Sequence, residues 1–350
     1  MTLVSLEPET LESALPIPEE IQREIPLLQA RASFVQQSRE TIEAILSGWD
    51  SRLLLITGPC SIHDPEAALE YGRRLRQLAE RVSDRFFVIM RTYFEKPRSI
   101  IGWKGMLYDP AMDGSYQLAN GIRLTRKLLA ELTDMGVPTG SELLEINTLH
   151  YYADFLSWGC VGARTCSSPP HRQMVSSLNL PTGFKNSTDG NIDNAVHGIL
   201  AAGAQHVYMG LSPAGHMIRI QAEGNPLCHV VLRGGIQGPN YHPDMIQEAV
   251  KKCQKAKICS RLVIDCSHDN CGKNPEQQGQ AFLSGIQQVL SGNAHIAGMM
   301  LESHLLGGAQ EITFPLRYGV SITDPCLDWQ ATERLVMQAY SNLSRSQIRH

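Results

Sequence analysis

The stretch Leu53-Leu54-Leu55-Ile56-Thr57-Gly58-Pro59-Cys60-Ser61-Ile62-His63-Asp64-Pro65 decides the fold. Its unbroken apolar start suits a strand buried on both faces, as in a parallel sheet covered on either side. Gly58 and Pro59 interrupt that run. Asp64 then supplies a helix N-cap, and Pro65 takes the first helical position, where no amide hydrogen is needed. The helix expected over 65–82 has Ala68, Tyr71, Leu75, Leu78 and Val82 three or four residues apart, one buried face. The stretch is one strand–helix unit with a thiol, Cys60, in the turn between.

The unit recurs along the chain. Apolar runs predict strands at 52–57, 86–91, 137–142, 160–164, 180–185, 228–233, 262–266 and 296–301, with the clearest helices at 65–82, 120–135, 243–256 and 276–291. Strands alternating with helices are parallel, and eight is the number that closes a (β/α)8 TIM barrel, an α/β fold. Residues 206–221 break the alternation. They read as a β-hairpin turning at Ser212-Pro213-Ala214-Gly215, inserted after the fifth strand and helix. Residues 1–48 read as an N-terminal extension punctuated by Pro8, Pro16, Pro18 and Pro26. A helical pattern from Arg31 to Leu46 carries Phe34, Val35, Ile42 and Ile45 on one side. That apolar stripe predicts packing, against a neighbouring subunit. The expected organisation is an arm over 1–48 serving oligomerisation and regulation, and a catalytic barrel over 49–350.

Charge and composition exclude several classes. Residues 1–50 carry a net −6 of the chain's −4, so the remainder is slightly basic and its arginines and lysines are free to meet anions. No basic run suggests nucleic acid, and no apolar stretch approaches the roughly 18 residues of a membrane span. Nine cysteines without a CxxC pair point to reduced thiols and a cytoplasmic setting.

Each predicted strand has a polar residue at or just past its C-terminal tip: Cys60, Arg91, Glu142, Arg164, Lys185, Arg233, His268 and Glu302. In a parallel barrel these tips share the face on which active sites are built. Singly, each is as readily a surface or packing residue; the full set is what argues for a site. Arg91, Arg164, Lys185 and Arg233 form a cationic group suited to a small substrate with phosphate and carboxylate, because converging cations repel until an anion binds among them. Cys60, His268, Glu302 and Asp324 offer a thiolate, an imidazole and two carboxylates. So scattered and oxygen-rich a set suits a catalytic divalent metal such as Mn, Fe, Co or Zn rather than a structural zinc. The long loop after the second strand contains Lys96-Pro97-Arg98-Ser99, two cations and a hydroxyl on a stiffened backbone.

Several of these motifs resemble the type I 3-deoxy-D-arabino-heptulosonate 7-phosphate (DAHP) synthases. They are Gly58–Pro65, Arg91–Arg98, Gly162-Ala163-Arg164-Thr165, Gly183-Phe184-Lys185-Asn186, Leu232-Arg233-Gly234-Gly235, Asp265-Cys266-Ser267-His268, Glu302-Ser303-His304 and Ser321–Cys326. The resemblance runs from about residue 45 to the end. It implies condensation of phosphoenolpyruvate (PEP) with erythrose 4-phosphate, the first step of the shikimate pathway to aromatic amino acids. It implies that Cys60, His268, Glu302 and Asp324 bind the metal and that Arg91, Arg164, Lys185 and Arg233 hold PEP. Lys96 would lie between the substrates, with Pro97, Arg98 and Ser99 at erythrose 4-phosphate; Lys96, Cys60 and His268 are the expected catalytic residues. It further implies feedback inhibition by an aromatic amino acid in a cleft between barrel, arm and neighbour, and a homotetramer or homodimer. Asn179 matches the position often linked to effector preference.

Two departures stand out. The family usually continues past Gly-Ala-Arg-Thr with Thr-Glu-Ser-Gln, where this chain has Cys166-Ser167-Ser168-Pro169-Pro170, two prolines expected to stiffen a loop. Leu144 stands where Asp is usual. A sibling synthase taking arabinose 5-phosphate, an inactive sensor of aromatic amino acids and a general metal aldolase are the competing readings.

Overall fold

Each apolar run becomes one stave of a closed barrel. The computed structural model describes residues 13–98 and 100–347. Two helices, α1 (Pro18–Glu24) and α2 (Gln29–Ser47), precede the strands β1 (Leu53–Gly58), β2 (Phe86–Arg91), β3 (Thr139–Glu142), β4 (Trp158–Val161) and β5 (Thr182–Lys185). An antiparallel hairpin, β6 (His206–Leu211) and β7 (Met217–Ala222), follows. The staves β8 (Cys228–Leu232), β9 (Leu262–Asp265) and β10 (Ile296–Glu302) complete the ring. Parallel pairing runs β1-β10-β9-β8-β5-β4-β3-β2 and back to β1. In the closing pair Gly58 stands opposite Glu302, which puts the Cys60 turn beside the tip of β10.

Helices α3 (Pro65–Arg81), α4 (Leu118–Asp134), α5 (Pro169–Ser176), α6 (Asp193–Ala202), α7 (Pro243–Ala256), α8 (Gln278–Leu290) and α9 (Trp329–Gln347) surround the staves. Asp64 caps α3 as expected, accepting the amides of Glu66 (2.9 Å) and Ala67 (3.1 Å). Pro169 and Pro170 do not stiffen a loop. They occupy the first positions of α5, where the fixed backbone angle of proline suits helix initiation. The fourth strand ends at Val161, so Gly162-Ala163-Arg164 lies in the turn beyond it.

The core has two compartments. Tyr71, Leu75, Phe86, Leu129, Phe184 and Phe282 fill the layer between strands and helices, while Leu54, Ile56, Ile89, Trp158, Val231, Val263 and Met300 fill the barrel interior. Ile42, Ile45 and Leu46 of α2 join the interior group. The Ile42–Leu46 part of the apolar stripe is therefore covered by the chain's own barrel. Burying such side chains stabilises by about 1.5–3 kcal/mol each, which makes α2 a stopper in the N-terminal end of the barrel. Gly48 ends it in the left-handed region, φ +81°.

Polar bonds fix the arm further. Arg31 makes a two-pronged pair with Asp134, 2.7 Å on both arms. Arg39 donates to the carbonyls of Leu156, Ala153 and Asn179. Buried Arg126 joins the Ile25 carbonyl to Asp154 and the Tyr151 carbonyl. The Glu19 amide donates to Pro213 at the hairpin tip, 2.9 Å. The outward hairpin face leaves Val207, Met209 and Met217 exposed, Met209 at 82%. No described helix is long and apolar enough to cross a membrane.

Candidate active site

The strand tips surround a cavity of about 520 Å3 at the C-terminal mouth of the barrel. Its wall includes Arg91, Lys96, Pro97, Arg98, Glu142, Arg164, Lys185, Arg233, His268, Glu302 and Asp324. Cys60 lies against it, fully buried, with its Sγ 3.1 Å from Lys96 Nζ and 3.4 Å from Asp324 Oδ2. Residues separated by up to 264 positions thus converge. Ser99 lies outside the described residues.

Ligand atoms of Cys60, Glu302 and Asp324 lie within 4.8 Å of one another. His268 stands at the edge of this group, its Nε2 3.7 Å from Glu302 Oε1. The other ring nitrogen, Nδ1, is 2.9 Å from Asp265 Oδ2 and 2.8 Å from the Ser267 hydroxyl, which orients the ring and turns Nε2 towards the cluster. The His268 backbone is in the left-handed region, φ +57°, a strain of order 1 kcal/mol for a non-glycine residue. A bond of 2.7 Å between the Ser61 and Thr323 hydroxyls ties the Asp324 loop to the Cys60 turn.

Electrostatics in this group call for a cation. Burial, reinforced by Glu302 and Asp324, pushes the Cys60 thiol up to about 11. Burial opposes the charge on Lys96, but Cys60, Glu302 and Asp324 outweigh it and raise the ammonium above its ordinary value. One thiol, one imidazole and two carboxylates of mixed hardness fit a divalent ion, whose charge would hold the thiol as thiolate.

The cationic half is already charge-compensated. Buried Arg91 lies over the Tyr93 ring, 4.0 Å to its centroid, and donates through Nη2 to Glu302 at 2.9 Å. Lys185 Nζ is 2.8 Å from Asp265, and Arg233 pairs with Asp269. The mutual repulsion expected of these cations is therefore met by acids on the same rim. Asp265 connects the two halves. Burial opposes its charge, yet His268, Lys185 and Arg91 hold it well below the usual carboxylate range. Gly162 completes the wall, since a Cβ there would fall 2.0 Å from Glu142 Oε1.

Asp265, Asp269 and Tyr93 were not among the residues expected from sequence. Asp265 was in view, as the polar end of the run Leu262-Val263-Ile264-Asp265. His268, three residues on, stood for that strand instead.

A second cleft, about 220 Å3, lies on the flank of the barrel. Gln22 of α1, Ile146, Leu149, His150, Ala153 and Asp154 form one side, and Met174, Ser177, Leu178, Tyr208, Gly210 and Ile220 the other. Tyr208 donates to the Ser177 hydroxyl at 2.8 Å. Asn179, the expected effector-preference position, is not in this wall; its carbonyl turns away to Arg39.

Comparison with known proteins agrees with this geometry. Residues 29–337 match the DAHP synthetase I family. The chain is 43% identical over 338 residues to the Tyr-sensitive phospho-2-dehydro-3-deoxyheptonate aldolase of Salmonella typhimurium, covering 96% of this chain and 95% of that one. It is 46% identical over 325 residues to the Trp-sensitive enzyme of Escherichia coli, covering 92% and 93%. The solved structure of the phospho-2-dehydro-3-deoxyheptonate aldolase from Francisella tularensis superposes with a TM-score of 0.93 at 38% identity, over 95% of this chain and 97% of that one.

Proposed function

The chain belongs to the DAHP synthetase I family, and on that premise we propose that its barrel joins PEP to erythrose 4-phosphate, forming DAHP and inorganic phosphate at the head of the shikimate pathway. The observation that carries this reading is the meeting of two unlike sets in one cavity. Glu302, Asp324 and His268 share its wall with Arg91, Arg164, Lys185 and Arg233, and Lys96 lines it with Nζ 3.1 Å from Cys60 Sγ.

Cys60, His268, Glu302 and Asp324 would hold one divalent ion, Mn, Fe, Co or Zn. When bound, that ion supplies Lewis-acid polarisation of the aldehyde. Arg91, Arg164, Lys185 and Arg233 receive the carboxylate and phosphate of PEP, fixing its methylene carbon towards the aldehyde. Pro97, Arg98 and Ser99 receive the phosphate end of erythrose 4-phosphate. As the methylene carbon bonds to the aldehyde carbon, Lys96 Nζ gives its proton to the oxygen that becomes the new hydroxyl. Water adds to the neighbouring PEP carbon, and phosphate leaves with cleavage of its C–O bond. Positioning by the cations lowers the barrier by several kcal/mol, about 7–11 at best.

The second cleft has the size and apolar lining for an aromatic amino acid acting as feedback inhibitor, the property named in the Tyr- and Trp-sensitive relatives. The arm over 1–48, whose Gln22 lines the cleft, serves this regulation. The exposed Val207, Met209 and Met217 offer a surface for another copy, in a homodimer or homotetramer.

The test is consumption of PEP in the presence of erythrose 4-phosphate by chelator-stripped protein refilled with each metal. Metal-dependent turnover with stoichiometric phosphate is expected. Folded, metal-loaded protein that turns over arabinose 5-phosphate instead would replace the proposed aldehyde.

A further inference from the structure

Three acids neutralise cations at the mouth of the barrel, and one of them differs from the others. Glu302, paired with Arg91, is 3% exposed, and Asp265, paired with Lys185, is wholly buried. Asp269, paired with Arg233, is 27% exposed and forms part of the cavity wall. Arg233 itself is nearly buried, at 8%, and its Nε has no hydrogen-bond partner among the described residues. A guanidinium so far out of water and so short of partners draws any anion that reaches it.

The main chain on both sides of this pair is held. Asn270, next to Asp269, donates to the carbonyls of Leu232 (3.1 Å) and Asp265 (2.8 Å) and accepts the Asn240 amide at 2.8 Å. Gly234, next to Arg233, has φ +77°, and a Cβ there would fall 2.6 Å from the Asn270 amide nitrogen. The turn after β9 is therefore pressed onto the tip of β8, and the pair changes by side-chain motion alone. A second anion on Arg233 is repelled by the carboxylate already there, and phosphate, with up to two charges, more than most. The carboxylate must yield the guanidinium and turn to solvent, which Asp269 has within reach and Asp265 has not. The incoming anion is held less tightly than Arg233 alone would hold it. When it leaves, Asp269 takes the guanidinium back.

We infer that Asp269 is a positioning residue that competes with the phosphate group of PEP for Arg233, loosening both PEP and the inorganic phosphate formed from it. The inference rests on the reading of Arg233 as one of the cations that receive PEP.

The experiment uses the full chain at saturating metal. Calorimetry measures binding of PEP and of inorganic phosphate, and turnover gives the KM for PEP and product inhibition by phosphate. Asp269→Asn removes the charge at nearly constant volume, and Asp269→Ser is the second probe should it fail to fold. Asp269→Asn is expected to bind PEP and phosphate about tenfold more tightly, with a matching fall in the KM for PEP and stronger product inhibition. In an Arg233→Gln background the same substitution should leave both affinities within about twofold, because the contested group is gone. A full gain retained in that background overturns the inference, since Asp269 would then act on PEP without Arg233. Tighter PEP with unchanged phosphate overturns phosphate as the competing group. A lower melting temperature with unchanged constants overturns the inference as well, by making Asp269 a brace for the fold; if Arg233→Gln binds PEP more weakly, the PEP reading of Arg233 still stands. Arg233→Gln that binds PEP as the wild type does overturns both.

Discussion

Asp265 carries more of the site than its position suggests, because it touches the imidazole expected on the metal and the ammonium expected on PEP. Asp265→Asn is predicted to weaken metal affinity about 10- to 100-fold, measured by titration with a competing chelator. It should also raise the KM for PEP by loosening Lys185, whereas a purely structural carboxylate would lower stability alone. A pH effect follows from Glu95, whose carboxyl group burial raises to about 7. A carboxyl raised on folding stabilises fully below its unfolded value, and that contribution is lost as pH rises through the folded value. The wild type should therefore lose stability relative to Glu95→Gln between about pH 4.5 and 7, by roughly 3 kcal/mol across the window. Denaturant unfolding at several pH values reads this, and parallel curves for the two proteins would refute it. The residues legible in the sequence were those whose chemistry faces the cavity from a strand tip. Asp265 and Glu95 escaped because their roles lie in partners from other staves, Lys185 on β5 for Asp265 and the Thr148 hydroxyl beyond β3 for Glu95, pairings that no local spacing announces.

At the scale of elements, β1, β2, β8, β9 and β10 were legible as short, largely apolar runs suited to burial on both faces, whereas β3 (Thr-Gly-Ser-Glu) and β5 (Thr-Gly-Phe-Lys) are buried without being apolar throughout. The hairpin was legible from its alternation and its Pro-Ala-Gly turn. Helix α5 was not, since prolines that open a helix read locally as a loop. The seat of α2 was not legible either: an apolar stripe states that it will be covered, but not by what. That seat changes what truncation does. Removal of residues 1–28 is predicted to relieve amino acid inhibition with catalysis retained, because it takes away Gln22 and leaves the stopper. Removal of residues 1–48 extracts Ile42, Ile45 and Leu46 from the interior, where each truncation to alanine alone costs about 2–5 kcal/mol, so that protein should melt far earlier or fail to fold. Comparison of the two melting curves checks both statements. On the hairpin, Met209→Asp is predicted to shift the protein to a smaller assembly, read by light scattering, since it places a charge on the exposed apolar face.

At the scale of the molecule, closure concentrates polar chemistry at one mouth and leaves the other end to packing. This division of labour has a thermodynamic counterpart: a metal bound at the mouth stabilises only the folded barrel that assembles Cys60, His268, Glu302 and Asp324. Loading at about a thousand times the dissociation constant should add roughly 4 kcal/mol, and chelation should remove it, as a reversible shift in melting temperature. No shift with a metal that supports turnover would place the ion elsewhere. The stopper also imposes a timetable on synthesis. Ile42 leaves the ribosome some 260 residues before Glu302 completes the ring that encloses it. At about 5–20 residues per second, the apolar face of α2 waits for tens of seconds without its seat. For the nascent chain, the first helix to emerge with a greasy face is among the last to be sheltered, and shielding it during translation falls to whatever binds emerging chains.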